Sequence, residues 1–102
     1  MVFGIIYEYV ELATGRSAYV GKAASLYGHD GTLKMVMRRH LRGNTPTPFD
    51  FVLRANSSAF VCRIVDKLVA DTSAAMQAVL KPLEKDRVRT HRPQYNRVLF
   101  CH

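Results

Sequence analysis

Two tyrosines, one glutamate and one asparagine are the residues from which chemistry can be built. Tyr7 lies in the apolar run Phe3-Gly4-Ile5-Ile6-Tyr7-Glu8-Tyr9-Val10 and Tyr19 in Ser17-Ala18-Tyr19-Val20-Gly21-Lys22, with a turn at Ala13-Thr14-Gly15-Arg16 between them. Aromatic-rich apolar runs meeting across a Thr-Gly turn predict a β-hairpin, which brings both tyrosines onto paired strands. Paired tyrosines form either a packing ladder or the two hydroxyls of a catalytic floor. Taken singly, each is an ordinary core residue. Glu84 by itself is an exposed helix carboxylate within reach of Lys81 or Arg87, and Asn96 after Pro93 is an ordinary turn residue.

The rest of the chain must position these side chains. Ala23 to Gly31 reads as a loop, broken by Gly28, Asp30 and Gly31. Thr32 then caps a predicted helix from Leu33 to Arg42, ended by Gly43-Asn44. Leu33, Val36, Met37 and Leu41 are spaced to face a core on it, with Lys34, Arg38 and Arg42 opposite. A stiff Thr45-Pro46-Thr47-Pro48 connector leads into a short helix over Phe49 to Asn56, capped around Thr47. Ser57-Ser58 turns the chain into a β-branched strand, Ala59 to Asp66. Asp71 or Thr72 opens a helix from Ala74 to about Thr90, which Pro82 should kink or split. After His91 to Asn96 comes Arg97-Val98-Leu99-Phe100, a short strand or docking tail. The order is β-β-α-α-β-α with a C-terminal tail. It predicts one α/β domain over residues 1–102, a small three-stranded antiparallel or mixed sheet flanked by helices. Tyr9, Phe49, Phe51, Phe60 and Phe100 are the expected core aromatics.

Composition narrows the function classes. Hydrophobic residues at 48% exclude a disordered chain, and no run approaches the roughly 20 apolar residues of a membrane span. Met1-Val2-Phe3 enters a strand pattern with no basic leader, so no signal peptide is expected. Cys62 and Cys101 have no metal spacing and suggest no disulfide framework, which fits a reduced, intracellular protein. The expected setting is a cytoplasm or nucleoid, a nucleus, or, for a viral chain, the host cell. The formal net charge of +7 points to a polyanionic partner, nucleic acid first, against a basic surface kept only for solubility. His29, His40 and His91 lack zinc spacing and read as surface or phosphate-contacting residues.

Together, these residues match a family pattern. The hairpin Gly4-Ile5-Ile6-Tyr7…Ala18-Tyr19-Val20-Gly21-Lys22-Ala23 resembles the two half-motifs of the GIY-YIG nucleases, in the style of the N-terminal nuclease domain of the bacterial excision-repair incision enzyme. The later run from Glu84 to Asn96, ending Pro93-Gln94-Tyr95-Asn96, is similar to that family's helix-borne glutamate and Pro-x-Tyr-Asn ending. The resemblance covers nearly the whole chain. It implies DNA hydrolysis assisted by Mg²⁺ or Mn²⁺, with Tyr7 as general base and Tyr19 supporting the nucleophilic water. Glu84 would be the metal ligand, Asn96 would order the site, and Lys22 would lie near the scissile phosphate.

The chemistry is coherent on its own terms. Phosphodiester hydrolysis needs a proton acceptor and charge relief on the non-bridging oxygens. A phenol of pKa about 10 needs a neighbouring cation or hydroxyl to act near neutrality. A lone carboxylate suits Mg²⁺, which keeps most of its waters.

One family residue is displaced. The phosphate-neutralising arginine of the first helix is expected four residues before a histidine or aromatic, but counting back from His40 gives Val36, and counting forward from Gly21 gives His29. Arg38 and Arg39 lie on the same helix and are the candidate substitutes. The remaining cations form two expected walls for DNA phosphates. Lys34, Arg38, Arg39, His40 and Arg42 line one helix, and Arg87, Arg89, Arg92 and Arg97 cluster around the Glu84-to-Asn96 segment. The bland counterpart is a solvated charged face, given the interspersed Glu84 and Asp86. No appended recognition module is expected, so targeting would fall to a protein partner, to DNA structure or to a homodimer. The rival readings are a nucleic-acid-binding domain without catalysis and a small regulatory protein that binds another protein.

Overall fold

The computed structural model describes residues 1–43 and 47–96. Its sheet is fully antiparallel in the order β2-β1-β3, built from β1 (Val2–Glu11), β2 (Ser17–Ser25) and β3 (Phe60–Ala70). Three helices complete it, α1 (Gly28–Arg42), α2 (Phe49–Ala55) and α3 (Ser73–His91), with a 3-10 turn at Ser57–Ala59. The element order is β-β-α-α-β-α, and the sheet is antiparallel, not mixed. Arg97 and the expected tail to Phe100, with Cys101, lie outside the described residues.

Strand alternation divides the core into two layers. Ile5, Tyr7 and Tyr9 of β1 face α1 and α2, packing with Ala23, Val36, Phe49 and Leu53. Val2 and Ile6 face α3, packing with Val20, Met76 and Leu80. Gly4 lets α3 approach this second face, because a Cβ there would meet Met76 Sδ at 2.3 Å.

Several boundaries differ from the expectation, each for a local reason. Strand β2 runs on to Ser25 because β1 begins at Val2 and keeps it paired, Phe3 against Ser25. Helix α1 starts at Gly28, not after Thr32. Thr32 is buried and donates to Gly28 O (2.6 Å), so it braces the first turn and caps nothing. Strand β3 extends past Asp66 to Ala70, pairing Val69 with Phe3 and Leu68 with Gly4. Thr72 is the N-cap of α3, its Oγ1 accepting from Ala75 N at 3.1 Å. The helix runs on through Pro82, which is exposed. Thr47 assists the start of α2, its Oγ1 accepting from Phe49 N at 3.3 Å. Phe51, expected in the core, is 71% exposed and carries the Arg54 guanidinium 5.1 Å above its ring. Leu41 is likewise exposed, since the sheet-facing stripe of α1 is Thr32, Val36 and His40.

No described helix is long and apolar enough to cross a membrane.

Candidate active site

The register of the hairpin builds the floor. Tyr7 lies opposite Gly21 and Tyr9 opposite Tyr19, so the three tyrosines share the face toward α1 and α2. Tyr7 lies across Gly21: a Cβ on Gly21 would fall 2.4 Å from the Tyr7 Oη and 2.5 Å from its Cζ. The glycine of the second half-motif is therefore the space that the tyrosine of the first one occupies.

His40 descends from α1 into this floor and is 0% exposed. Its ring is enclosed by Tyr7, Tyr9, Tyr19 and Phe49, with centroids 5.3 to 6.1 Å away. Its Nε2 is 2.8 Å from Tyr7 Oη, and its Nδ1 is 2.6 Å from Asp50 Oδ1 on α2. Burial pushes His40's pKa below the ordinary value, and Asp50 opposes this without overcoming it. For a neutral imidazole beside a carboxylate, one arrangement satisfies both contacts: Nδ1–H donates to Asp50, and Nε2 accepts from the Tyr7 hydroxyl. Tyr7, His40 and Asp50 thus form a buried chain ending in a carboxylate. The expectation that His40 lies on the surface against DNA is corrected, because its ring is fully enclosed.

Glu84, on α3, is close enough to Tyr7 and Tyr19 for its charge to disfavour ionisation of both. Burial raises its pKa, and the opposing charge is the Lys22 ammonium. It does not pair with Lys81 or Arg87. Tyr7 is pushed well above the usual phenol value by burial first, then by Tyr19 and its other neighbours, Glu84 among them. Tyr19 is pushed up to about 12 by burial and then by Glu84. Lys22 Nζ donates to Gln77 Oε1 of α3 at 3.2 Å, so it is held along that helix.

Asn96 closes the open edge of β2. Its Oδ1 accepts from Val20 N at 2.7 Å, and its Nδ2 donates to Val20 O at 2.8 Å. Tyr95 N donates to Ala18 O and Gln94 N to Ser17 O, so residues 94–96 stand in for a fourth strand beside the site.

The expected helix arginine is absent from the sheet-facing stripe. Val36 is buried in the core, while Arg38 and Arg39 are exposed on α1, with Arg39 near enough to His40 to disfavour its protonation. His29, the other counted position, is partly buried and bonds its Nε2 to Leu68 O at 2.8 Å.

The basic walls are unequal. Lys34, Arg38, Arg39 and Arg42 of α1 are exposed and form no ion pair among the described residues. Arg87, in contrast, is held by Asp66 (Nε to Oδ2, 2.7 Å) and Asp86 (2.8 Å), so its charge is already partnered. Arg89 and Arg92 are exposed beside Val88 and Pro93, around a cavity of about 300 Å³. His91 is not a free surface residue either. Its Nδ1 is 2.6 Å from the buried Glu8, whose other oxygen accepts from Arg63.

Asp50 and Glu8 escape a reading by motif. Both stand inside apolar runs, and a carboxylate placed there must find partners if it is buried; that signal was available. Among the described residues, no three His, Cys, Asp or Glu side chains converge as a metal cage. The donor set at the floor is the single carboxylate of Glu84, which fits only a hard divalent ion that keeps most of its waters. No protein-family model matches this chain, and neither does any curated protein or solved structure.

Proposed function

We propose that the chain is a divalent-metal-dependent endonuclease of the GIY-YIG type, hydrolysing DNA phosphodiester bonds with little intrinsic sequence preference. The observation that supports this reading is that Tyr7 and Tyr19 share one face of the hairpin, with Tyr7 lying across Gly21, while the Glu84 carboxylate on α3, opposed by Lys22, is close enough to raise the pKa of both.

The Tyr7–His40–Asp50 chain supplies what a phenol base otherwise lacks. As Tyr7 Oη takes the proton of an attacking water, its own proton passes to His40 Nε2, and Asp50 stabilises the resulting imidazolium. Tyr19, 6.2 Å from Tyr7 between ring centroids, offers a second hydroxyl to orient that water. Lys22 supplies a positive charge for the phosphate. Glu84 would hold a Mg²⁺ or Mn²⁺ ion, whose charge relieves the non-bridging oxygens when bound. The exposed cations of α1 would track the DNA backbone.

Nicking of supercoiled plasmid tests the reading. The expected result is open circles with Mg²⁺ or Mn²⁺ and none with EDTA; intact plasmid under both metals contradicts the enzyme. A specific observation favours a second reading, a DNA-binding domain without catalysis: Val36 fills the place of the arginine, and α1 presents no guanidinium on its sheet-facing stripe. That reading predicts salt-dependent DNA affinity with no cleavage under any metal.

A further inference from the structure

The exposed face of α1 carries a feature that the floor does not use. Tyr27, just before the helix, is 77% exposed, one of the most exposed large side chains among the described residues. Its ring borders a groove of about 410 Å³ lined with Gly31, Lys34, Met35 and Arg38. The backbone at Tyr27 is held in place. Its N–H donates to Ser25 Oγ (3.2 Å), which bonds Thr32 Oγ1 (2.6 Å), which in turn donates to Gly28 O. Gly31 is what leaves room for it, since a Cβ there would stand 2.8 Å from Tyr27 Cβ.

Lys34 and Arg38 are one helical turn apart, on the same side, and free of ion pairs among the described residues. Asp30 is the one acidic residue of α1. A solvent-facing aromatic residue beside cations that form no ion pair among the described residues matches two demands of one ligand, a π-face to stack on and phosphates to neutralise. Bases inside a duplex offer no free face, so the ligand must contain an unpaired nucleotide.

Resting on the nuclease reading, we infer that this groove binds single-stranded DNA, and that the substrate of the enzyme is DNA with an unpaired segment, such as a flap, gap or branch. Tyr27 stacks on a base, while Lys34 and Arg38 hold the flanking phosphates.

The test is fluorescence anisotropy in EDTA, with labelled oligo-dT, oligo-rU and a mixed-sequence duplex of equal length. Tyr27→Ala is expected to weaken oligo-dT binding about tenfold and duplex binding less than about twofold, while Tyr27→Phe retains the wild-type preference. Gly31→Ala, which displaces the ring, is expected to weaken oligo-dT in the same selective way. Lys34→Gln and Arg38→Gln should each lower the salt slope for oligo-dT by about 0.7. Equal losses on single strand and duplex, or an unchanged affinity for oligo-dT, overturn the groove. Tighter binding of oligo-rU than oligo-dT overturns its assignment to DNA. Because binding is read without metal, a chain that binds this way yet never cleaves refutes the nuclease and leaves the groove standing; a chain that cleaves but shows no selective loss refutes the groove alone.

Discussion

Tyr7 and His40 are joined by a 2.8 Å hydrogen bond in the core between β1 and α1. Tyr7→Phe removes the donor and leaves the buried Nε2 without it, so the variant should lose about 1–3 kcal/mol of stability. Urea denaturation measures this. A midpoint equal to wild type would mean that the bond contributes nothing.

The same bond sets a pH dependence. Burial holds His40 below its ordinary pKa, so the unfolded chain takes up this proton near pH 6.5 and the folded chain only at lower pH. The unfolded state then binds more protons, and stability should fall as pH drops below about 6.5. Glu8 acts in the same direction further down. Burial alone would raise its pKa, but its bonds to His91 and Arg63 hold it below the ordinary 4.5. Melting temperatures from pH 8 to 5 should fall by about 5 °C for the wild type, and His40→Gln should flatten that slope. Because the Glu84 carboxyl acts in the opposite direction over this range, the diagnostic is the difference between the two proteins, and a His40→Gln slope equal to that of the wild type contradicts the neutral, buried histidine.

The two half-motif glycines make separable predictions. At Gly21 the added carbon meets the Tyr7 ring, which His40 and the aromatic cluster hold in place. Gly21→Ala should cost about 1–3 kcal/mol and displace the Tyr7 hydroxyl. At Gly4 the obstacle is the flexible end of Met76, so Gly4→Ala should cost about 1 kcal/mol and become nearly neutral in a Met76→Ala background. Chemical denaturation of the singles and the double separates the two cases. Equal behaviour of the two glycines would refute the distinct roles.

Much of this arrangement was legible in the sequence, and what was not has a common physical cause. Alternation and the Thr-Gly turn place Tyr7 and Tyr19 on one face, and the hairpin register brings Gly21 beneath Tyr7. The ends of β2 and β3 depend on long-range pairing with Val2 to Gly4, which no local pattern announces. His40 stands between Arg39 and Leu41, so helix periodicity reads it as a boundary residue. Its burial requires Tyr9, Tyr19 and Phe49 to converge from three other elements. Val36 was visible as an apolar residue where an arginine was expected, and the core accounts for it. Arg87 looked like a free cation because Asp66, its partner, is 21 residues away on β3.

Glu84 carries a cost that function would explain. Its pKa is raised by burial, with Lys22 only partly opposing, so its ionised form is destabilising at neutral pH. The folded carboxyl then binds its proton at higher pH than the unfolded one, and the penalty disappears as pH falls below the raised value. Glu84→Gln should therefore raise the melting temperature at pH 7 by about 2 °C, with the gain shrinking toward pH 4. A lower melting temperature at pH 7 would show that the carboxylate stabilises the fold and is not held there against its solvation.

The most direct measurement is plasmid nicking by wild type, Tyr7→Phe and Glu84→Ala, purified in parallel and assayed with Mg²⁺, Mn²⁺ and EDTA. The site described above predicts metal-dependent nicking by the wild type, slowed at least about a hundredfold by either substitution. Equal cleavage by all three proteins, or cleavage that survives EDTA, would contradict it.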